Sequence, residues 1–266
     1  MSLSLQTFST VKDASAALRS GGARYLGGGT LVVRAVNEGD ISVTGYVRAT
    51  DPALSSIDHA DGRVRIGASV TMATIARRRD LGDVVRAAKA VGGPAIRNMA
   101  TVGGNLHAPA PYGDFAVALL ALDVTVHFTD RDMPMADFIA GNGTPSGHDI
   151  VTAVSFAVPP AGSFRFLKVS RVKPKGVSVL SIATLIDTDG AGAVQTARIA
   201  LGCMAERPMR AAAAERALVG SRLTREGIAA AVAAIGEGTD PITDPIASAW
   251  YRAEVLPVHF RRLLLG

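Results

Sequence analysis

Two short stretches gather residue types that can do chemistry together: Gly27-Gly28-Gly29-Thr30 and Thr101-Val102-Gly103-Gly104-Asn105. Glycine has no Cβ to hold a ligand away and reaches φ > 0 without strain, so consecutive bare N–H groups in such a turn form a concavity for an anion. Thr30, Thr101 and Asn105 add side-chain donors. The chemistry implied is a two-sided grip on a phosphate or diphosphate. Glycine supplies 28 of the 266 residues, so one such turn would mean little, whereas two with matching flanks mean more.

Other chemistries lack their residues. Cys203 is the lone cysteine, which excludes an intrachain disulfide and any cysteine set for zinc or an iron–sulfur cluster, so metal chemistry would have to come from a partner. His107 lies two residues beyond the second glycine stretch and reads as an ordinary polar contact. None of the remaining histidines has a metal-spaced partner or a serine nucleophile motif, so zinc and Ser–His–Asp readings are not expected. No Gly-x-Gly-x-x-Gly is followed by an acidic residue ~20 positions on, which argues against a nicotinamide-binding Rossmann unit. No general acid–base pair stands out.

Composition bounds the rest. With 48% apolar and 19% charged residues the chain can bury a sizeable core. No apolar run reaches the ~18 residues of a membrane span, and the N-terminus lacks a basic segment followed by an apolar one, so a cytoplasmic protein with no membrane span is expected. The net charge of +5 comes from scattered Lys and Arg. Arg77-Arg78-Arg79 reads as a solvated helix end, and no aromatic interleaving accompanies it, so nucleic acid is not an expected partner.

The elements that must position the glycine stretches are short at first. Val11 to Arg19 reads as a helix, Ala23 to Leu26 as a strand, Thr30 to Val36 as a helix and Gly45 to Arg48 as a strand. Val64 to Ala68 alternates with period two after the Asp61-Gly62 turn, giving a hairpin arm, and Thr71 caps a short helix through Arg77. Leu81 to Val91 has helical spacing until Gly92-Gly93-Pro94. Phe115 to Leu122 is too apolar for a surface element and reads as a buried helix. Strands are expected at Val124 to Phe128, Ile150 to Val158, Arg165 to Val169, Val177 to Ile186 and Thr196 to Leu201. Alanine-rich helices follow at Ala211 to Val219, Thr224 to Ile235 and Asp244 to Leu265, the last with Ile246, Trp250, Val255, Val258, Leu263 and Leu264 read as core. Gly141 to Gly147 and Gly236 to Pro245 are the linker-like stretches.

The string Arg97-Asn98-Met99-Ala100-Thr101-Val102-Gly103-Gly104-Asn105, with Pro109, Pro111 and Asp114 after it, resembles the FAD-binding medium subunits of molybdenum hydroxylases, the family of the carbon monoxide dehydrogenase and xanthine dehydrogenase flavoproteins. Tyr25-Leu26-Gly27-Gly28-Gly29-Thr30 is similar to that family's other pyrophosphate loop. Arg198 to Gly202, Arg207-Pro208 and Asp244 to Leu265 are similar to its C-terminal domain, so the likeness runs along nearly the whole chain.

The resemblance implies an α+β protein: a two-subdomain FAD-binding fold of the PCMH/vanillyl-alcohol-oxidase type, followed by a C-terminal three-stranded sheet with a helical bundle. The implied parts are 1–56, 57–160 and 161–266. It implies non-covalent FAD held by Leu26, Gly27, Gly28, Gly29, Thr30, Leu31, Thr101, Val102, Gly103, Gly104 and Asn105. Asp114 is implied as a further FAD contact, although it could also cap the buried helix, and Arg24 is a weaker candidate on the adenine side. Lys168 falls where the family has a flavin-contacting lysine, against the alternative of a surface lysine on an edge strand. Val151 corresponds to an apolar position near the flavin, or is simple core. Leu31 departs from the pattern, since the family commonly has Asp or Ser there. The loop Arg171 to Ser178 lacks a common acidic residue.

The function so implied is an electron-transfer subunit that takes electrons from [2Fe-2S] clusters on a small partner chain, downstream of a molybdopterin-binding large chain, and passes them through FAD to NAD+ or another acceptor. Two alternatives stay open: a cofactor-depleted docking module of such a complex, and a stand-alone flavin-dependent oxidoreductase.

Overall fold

The computed structural model describes residues 3–141, 149–172 and 176–266. The linker-like residues 142–147 and the loop residues Lys173 to Lys175 lie outside the described residues. In chain order the elements are β1 (Ser4–Phe8), α1 (Val11–Arg19), β2 (Ala23–Tyr25), α2 (Val32–Asn37), β3 (Gly45–Ala49), β4 (Ile57–Ala60), β5 (Arg63–Gly67) and α3 (Met72–Ile75). Then come α4 (Val85–Ala90), α5 (Pro94–Met99), α6 (Val102–Leu106), α7 (Asp114–Ala121), β6 (Thr125–His127), β7 (Asp132–Pro134), α8 (Met135–Ala140) and β8 (Ala153–Ala157). The chain closes with β9 (Phe164–Ser170), β10 (Ser178–Thr188), β11 (Val194–Gly202), β12 (Met209–Arg210), α9 (Ala212–Leu218), α10 (Ala229–Ala234) and α11 (Ala249–Leu265).

Packing divides the chain into two units. One comprises Met1–Ile75, Pro94–Ala108 and Asp123–Ala157, the other Ala76–Gly93, Pro109–Leu122 and Val158–Gly266. Residues 1–56 and much of 57–160 therefore share one unit, while 76–93 and 109–122 pack with the C-terminal segment.

In the first unit, β1, β3 and β2 form a parallel sheet with β3 in the middle. Helix α1 opens where Thr10 Oγ1 accepts the Asp13 N–H at 3.1 Å, and it buries Val11, Ala14, Ser15 and Leu18, one face at helical spacing. A second, antiparallel sheet runs β4-β5-β8-β6-β7. Its first hairpin turns through Asp61 (φ 52°) and Gly62 (φ 72°), the paired positive φ values of a two-residue hairpin loop. Val64 and Ile66 point into the core and Arg63 and Arg65 out, the alternation that a half-buried strand requires.

In the second unit, the three long strands β9, β10 and β11 form an antiparallel sheet, extended by the two-residue β12 into the order β12-β11-β10-β9. Helix α7 lies against β10 and β11, and all eight of its residues are buried, the seven from Phe115 onward as their uninterrupted apolar sequence demands. Leu180, Ile182, Ile199 and Leu201 pack with Leu218, Ile228, Val232, Leu256 and Phe260 of the helical segment.

Three local readings are corrected here. Leu81 to Val91 is not one helix: Gly82 takes φ 56° and ψ −139°, which splits a 3₁₀ segment, Arg79–Val84, from α4. Helix α11 starts at Ala249 rather than Asp244, because Asp244 Oδ1 accepts the N–H groups of Ile246 and Ala247 at 2.8 and 3.0 Å and folds that stretch into a turn. Its buried face is Arg252, Leu256, Phe260 and Leu264, four residues apart, whereas Trp250 (71% exposed) and Val258 (43%) face solvent instead of the core. No helix among the described residues is long and apolar enough to cross a membrane.

Candidate functional site

The two glycine stretches meet inside the first unit. β2 ends where the Leu26 N–H donates to the Val47 carbonyl at 2.7 Å, and the chain then runs through Gly27 to Thr30 with no regular partner strand. Among the described residues, the N–H groups of Gly27, Gly28, Gly29 and Thr30 have no acceptor within the chain. A row of unpaired donors needs water or a ligand. Only Gly29 uses the left-handed region (φ 74°). Gly27 and Gly28 are glycines for another reason: a Cβ on Gly28 would land on the Met99 carbonyl, and one on Gly27 would sit 3.0 Å from Thr101 Oγ1.

The second stretch corrects the expectation of a matching open turn. Thr101 to Asn105 is the first turn of α6, and the N–H groups of Val102 to Asn105 are already used. The Val102 N–H donates to the Val70 carbonyl (3.0 Å), Gly103 to Ala68 (2.8 Å), Gly104 to Thr101 Oγ1 (3.1 Å) and Asn105 to the Thr101 carbonyl (3.0 Å). The strap 68–72 that absorbs them also brings Met72 N–H to the Ala100 carbonyl at 2.8 Å. Gly103 is glycine because a Cβ there would stand 3.2 Å from the Ala68 Cβ. Neither Gly103 nor Gly104 has positive φ.

What the second stretch still offers is side-chain chemistry. Thr101 Oγ1 accepts from Gly104, leaving its own O–H to donate. Asn105 Nδ2 donates to the Thr101 carbonyl at 2.9 Å, which leaves one amide hydrogen. The arrangement is thus asymmetric: an open row of N–H donors on Gly27 to Thr30, backed by a rigid helical turn. An oxyanion fits the open row, and the absence of Cβ atoms at Gly27 and Gly28 is what lets the backing approach so closely.

Of the other residues in this unit, Val151 is buried (4% exposed), and Arg24 is exposed on β2. The His107 ring meets Phe138 edge-on, with centroids 5.4 Å apart and planes at 74°. His127 has a serine beside it that no sequence motif marks: its Nδ1 is 2.6 Å from Asp132 Oδ1 and its Nε2 2.9 Å from Ser155 Oγ. Sequence separations of 5 and 28 residues hide this trio, which only the strand register brings together.

In the second unit, Asp114 and Lys168 are partners of each other. Lys168 Nζ lies 2.8 Å from Asp114 Oδ2 and donates to the Ala90 carbonyl at 3.0 Å, and the two side chains are 10% and 7% exposed. The surface-lysine alternative is therefore excluded, although β9 is an edge strand. The cap position of α7 belongs to Gly113 (φ 85°), so Asp114 is no plain N-cap. Its other oxygen accepts the Ser178 hydroxyl at 2.5 Å. Ser178, fully buried, is the residue that sequence reasoning missed, since nothing marks it out within an apolar strand.

Two further buried groups complete this polar core. Cys203 holds φ 64°, with its sulfur 3.7 Å from the Ser178 carbonyl and 3.8 Å from that of Pro111. Burial, reinforced by the charge of Asp114, pushes its thiol up to about 12. Arg252 is fully buried, donates to the Val179 carbonyl at 2.8 Å and lies 2.7 Å from Asp244 Oδ1. Burial pushes the Asp244 carboxyl up, but the Ala247 and Ile246 N–H groups and the Arg252 guanidinium together hold it below the usual carboxylate value. Among the described residues no group of three or more His, Cys, Asp or Glu could hold a metal ion.

Comparison with known proteins agrees along the whole length. A family model described as the FAD binding domain in molybdopterin dehydrogenase matches residues 2–159, and one described as the CO dehydrogenase flavoprotein C-terminal domain matches 165–266. The nicotinate dehydrogenase FAD-subunit of Eubacterium barkeri is 29% identical over 219 residues, covering 77% of this chain and 74% of that one. The 6-hydroxypseudooxynicotine dehydrogenase complex subunit alpha of Paenarthrobacter nicotinovorans is 29% identical over 225 residues, covering 80% and 75%. A solved structure of Cu,Mo-CO dehydrogenase in its cyanide-inactivated form contains a chain that superposes with a TM-score of 0.91 at 25% identity, covering 99% of this chain and 96% of that one.

Proposed function

The chain belongs to the family of FAD-binding subunits of the molybdopterin dehydrogenases, and from that membership we propose that it is the flavin-carrying electron-transfer component of a molybdenum hydroxylase complex. The observation that carries this reading is the open row of N–H groups on Gly27, Gly28, Gly29 and Thr30, seated on the turn that begins at Thr101. A diphosphate is the ligand such a row suits.

In this reading Gly27, Gly28, Gly29 and Thr30 supply the backbone donors for the FAD diphosphate, with Leu26 and Leu31 flanking them as further contacts. Thr101 adds a hydroxyl and Asn105 an amide hydrogen, while Val102, Gly103 and Gly104 form the floor beneath. Leu31 contributes no side-chain hydrogen bond. Asp114, Val151 and Lys168 are proposed as further cofactor contacts. Lys168 has one N–H left after those to Ala90 and Asp114. Bound FAD supplies the redox chemistry, and the chain's task is to hold it, orient it and exclude side reactions.

The rest of the assembly follows from the same reading. Residues 1–56 and 57–160 are the FAD-binding subdomains and 161–266 the C-terminal domain. A molybdopterin-binding large chain and a [2Fe-2S] small chain deliver electrons, and NAD+ or another acceptor removes them. With a single cysteine, this chain has no cluster ligands of its own. The test is purification of the chain alone and with its native partners, followed by flavin and metal analysis. A yellow chain with one non-covalent FAD, reduced rapidly only when its partners are present, supports the proposal. A colourless chain that refuses added FAD makes it a docking module, and fast unaided oxidation of an organic substrate makes it a self-contained oxidase.

A further inference from the structure

The solvent face of the antiparallel sheet in the first unit carries a hydrogen-bonded trio, none of whose members is among the proposed FAD contacts. His127 and Asp132 stand directly opposite each other on β6 and β7, and Ser155 on β8 stands opposite Thr125, two residues from His127 on the same face. The side-chain atoms confirm the register. Asp132 Oδ1 is 2.6 Å from His127 Nδ1, and Ser155 Oγ is 2.9 Å from Nε2. An ionised carboxylate only accepts, so the Nδ1 hydrogen belongs to the bond with Asp132, and Nε2 is left as the acceptor of the Ser155 O–H. The opposite face of these strands is apolar and buried, with Val64, Ile66, Val126, Met133, Val154 and Phe156. The strands are therefore fixed in register, and the trio is fixed with them.

The neighbours are cationic. Arg65 on β5 pairs directly with Ser155, and Arg63 Nη2 donates to the Ser155 carbonyl at 3.2 Å. Asp58 on β4 stands opposite Arg65 and offsets part of this charge. The His127 side chain is 12% exposed and that of Asp132 62%, with Ser155 half-buried, so the trio borders solvent.

We propose that Ser155, His127 and Asp132 form a nucleophilic relay that takes acyl groups from small activated esters. Ser155 Oγ attacks the acyl carbon while its proton passes to His127 Nε2, and the imidazolium so formed is steadied by Asp132. The ester C–O bond then breaks, the leaving alcohol takes that proton, and an acyl-Ser155 remains. Water, deprotonated by His127, attacks the acyl carbon and releases the acid and free Ser155. The ladder occupies the backbone N–H groups of the strands, so the negative oxygen formed during attack is met by the cation on Arg65 rather than by an N–H pair. A cation on an exposed side chain is a weaker stabiliser than a preorganised donor pair. The relay is therefore expected to favour good leaving groups and to hold its acyl group.

The experiment uses the full chain with p-nitrophenyl acetate and, separately, a fluorophosphonate probe, and maps the modified residue by mass spectrometry. Acetyl and phosphonyl groups are expected on Ser155, with a burst of nitrophenolate absent from Ser155→Ala. His127→Gln should slow labelling of Ser155 at least tenfold and Asp132→Asn by less, with far-UV circular dichroism and flavin absorbance unchanged in each. Wild-type protein in which Ser155 stays unmodified while lysines are acetylated overturns the proposal without recourse to any variant. Labelling of Ser155 that is indifferent to His127→Gln overturns it as well.

Discussion

Gly28 and Met99 touch backbone to backbone, so closely that a Cβ on Gly28 would coincide with the Met99 carbonyl and stand 3.1 Å from the Ala100 Cα. Backbone cannot swing aside as a long side chain can. Gly28→Val should therefore push the Gly27 to Thr30 loop off its support, destabilising the first unit by about 1–3 kcal/mol and abolishing FAD retention. Urea melts and flavin-to-protein ratios read the two effects. A stable variant with stoichiometric FAD would show that the loop does not need this seat.

Thr101 accepts the Gly104 N–H at 3.1 Å and opens α6. Thr101→Ala removes that cap and the hydroxyl together, at an expected cost of about 1 kcal/mol. Thr101→Ser keeps both and should behave as wild type. If the hydroxyl also meets the diphosphate, FAD affinity falls in Thr101→Ala by more than the stability loss alone accounts for, and returns in Thr101→Ser. Titration of the apoprotein with FAD, followed by fluorescence, measures it.

How much of this was legible in the sequence depends on the range of the forces involved. The apolar run Phe115 to Leu122 announced a buried helix, and the alternation at Val64 to Ala68 announced a strand, because burial pattern is a local property. The glycine stretches announced backbone approach but not its nature. Gly103 is explained by Ala68 and Gly28 by Met99, partners that sequence spacing does not show. For the same reason Thr101 to Asn105 reads as an open turn when the donors of Val102 to Asn105 are already taken by Ala68, Val70 and Thr101. Helices α5 and α8 carry only six residues each, too few for a periodic signal. The polar partnerships are the least legible. Ser178 and Ser155 are plain strand serines until the packing of α7 on β10 places Asp114 beside the one and strand register places His127 beside the other.

Cys203 should be inert in the folded chain. Its thiol is buried and pushed up from 9.0 to about 12, so at pH 8 it stays protonated and shielded. Ellman's reagent should titrate no thiol in native protein and one after denaturation. The linkage follows in sign: as pH rises from about 9 toward about 12 the unfolded chain ionises and the folded one does not, so stability falls over that window. Cys203→Ala should lose this part of the alkaline decline.

The pair of Asp114 and Lys168 offers the sharpest energetic test in the second unit, since both side chains are nearly buried and the ion pair is backed by Ser178 and the Ala90 carbonyl. Lys168→Met leaves a carboxylate in a low-dielectric site with one hydroxyl donor. Removing one member of a buried pair costs about 3–5 kcal/mol, because the remaining charge is stranded. Adding Asp114→Asn removes that charge while keeping an oxygen for Ser178, so the double variant should recover part of the loss, with a coupling of about 0.5–3 kcal/mol. Chemical denaturation of the four proteins of the cycle gives the number. Additive losses would mean that the two residues are held independently, and the 2.8 Å contact would then contribute nothing to folding.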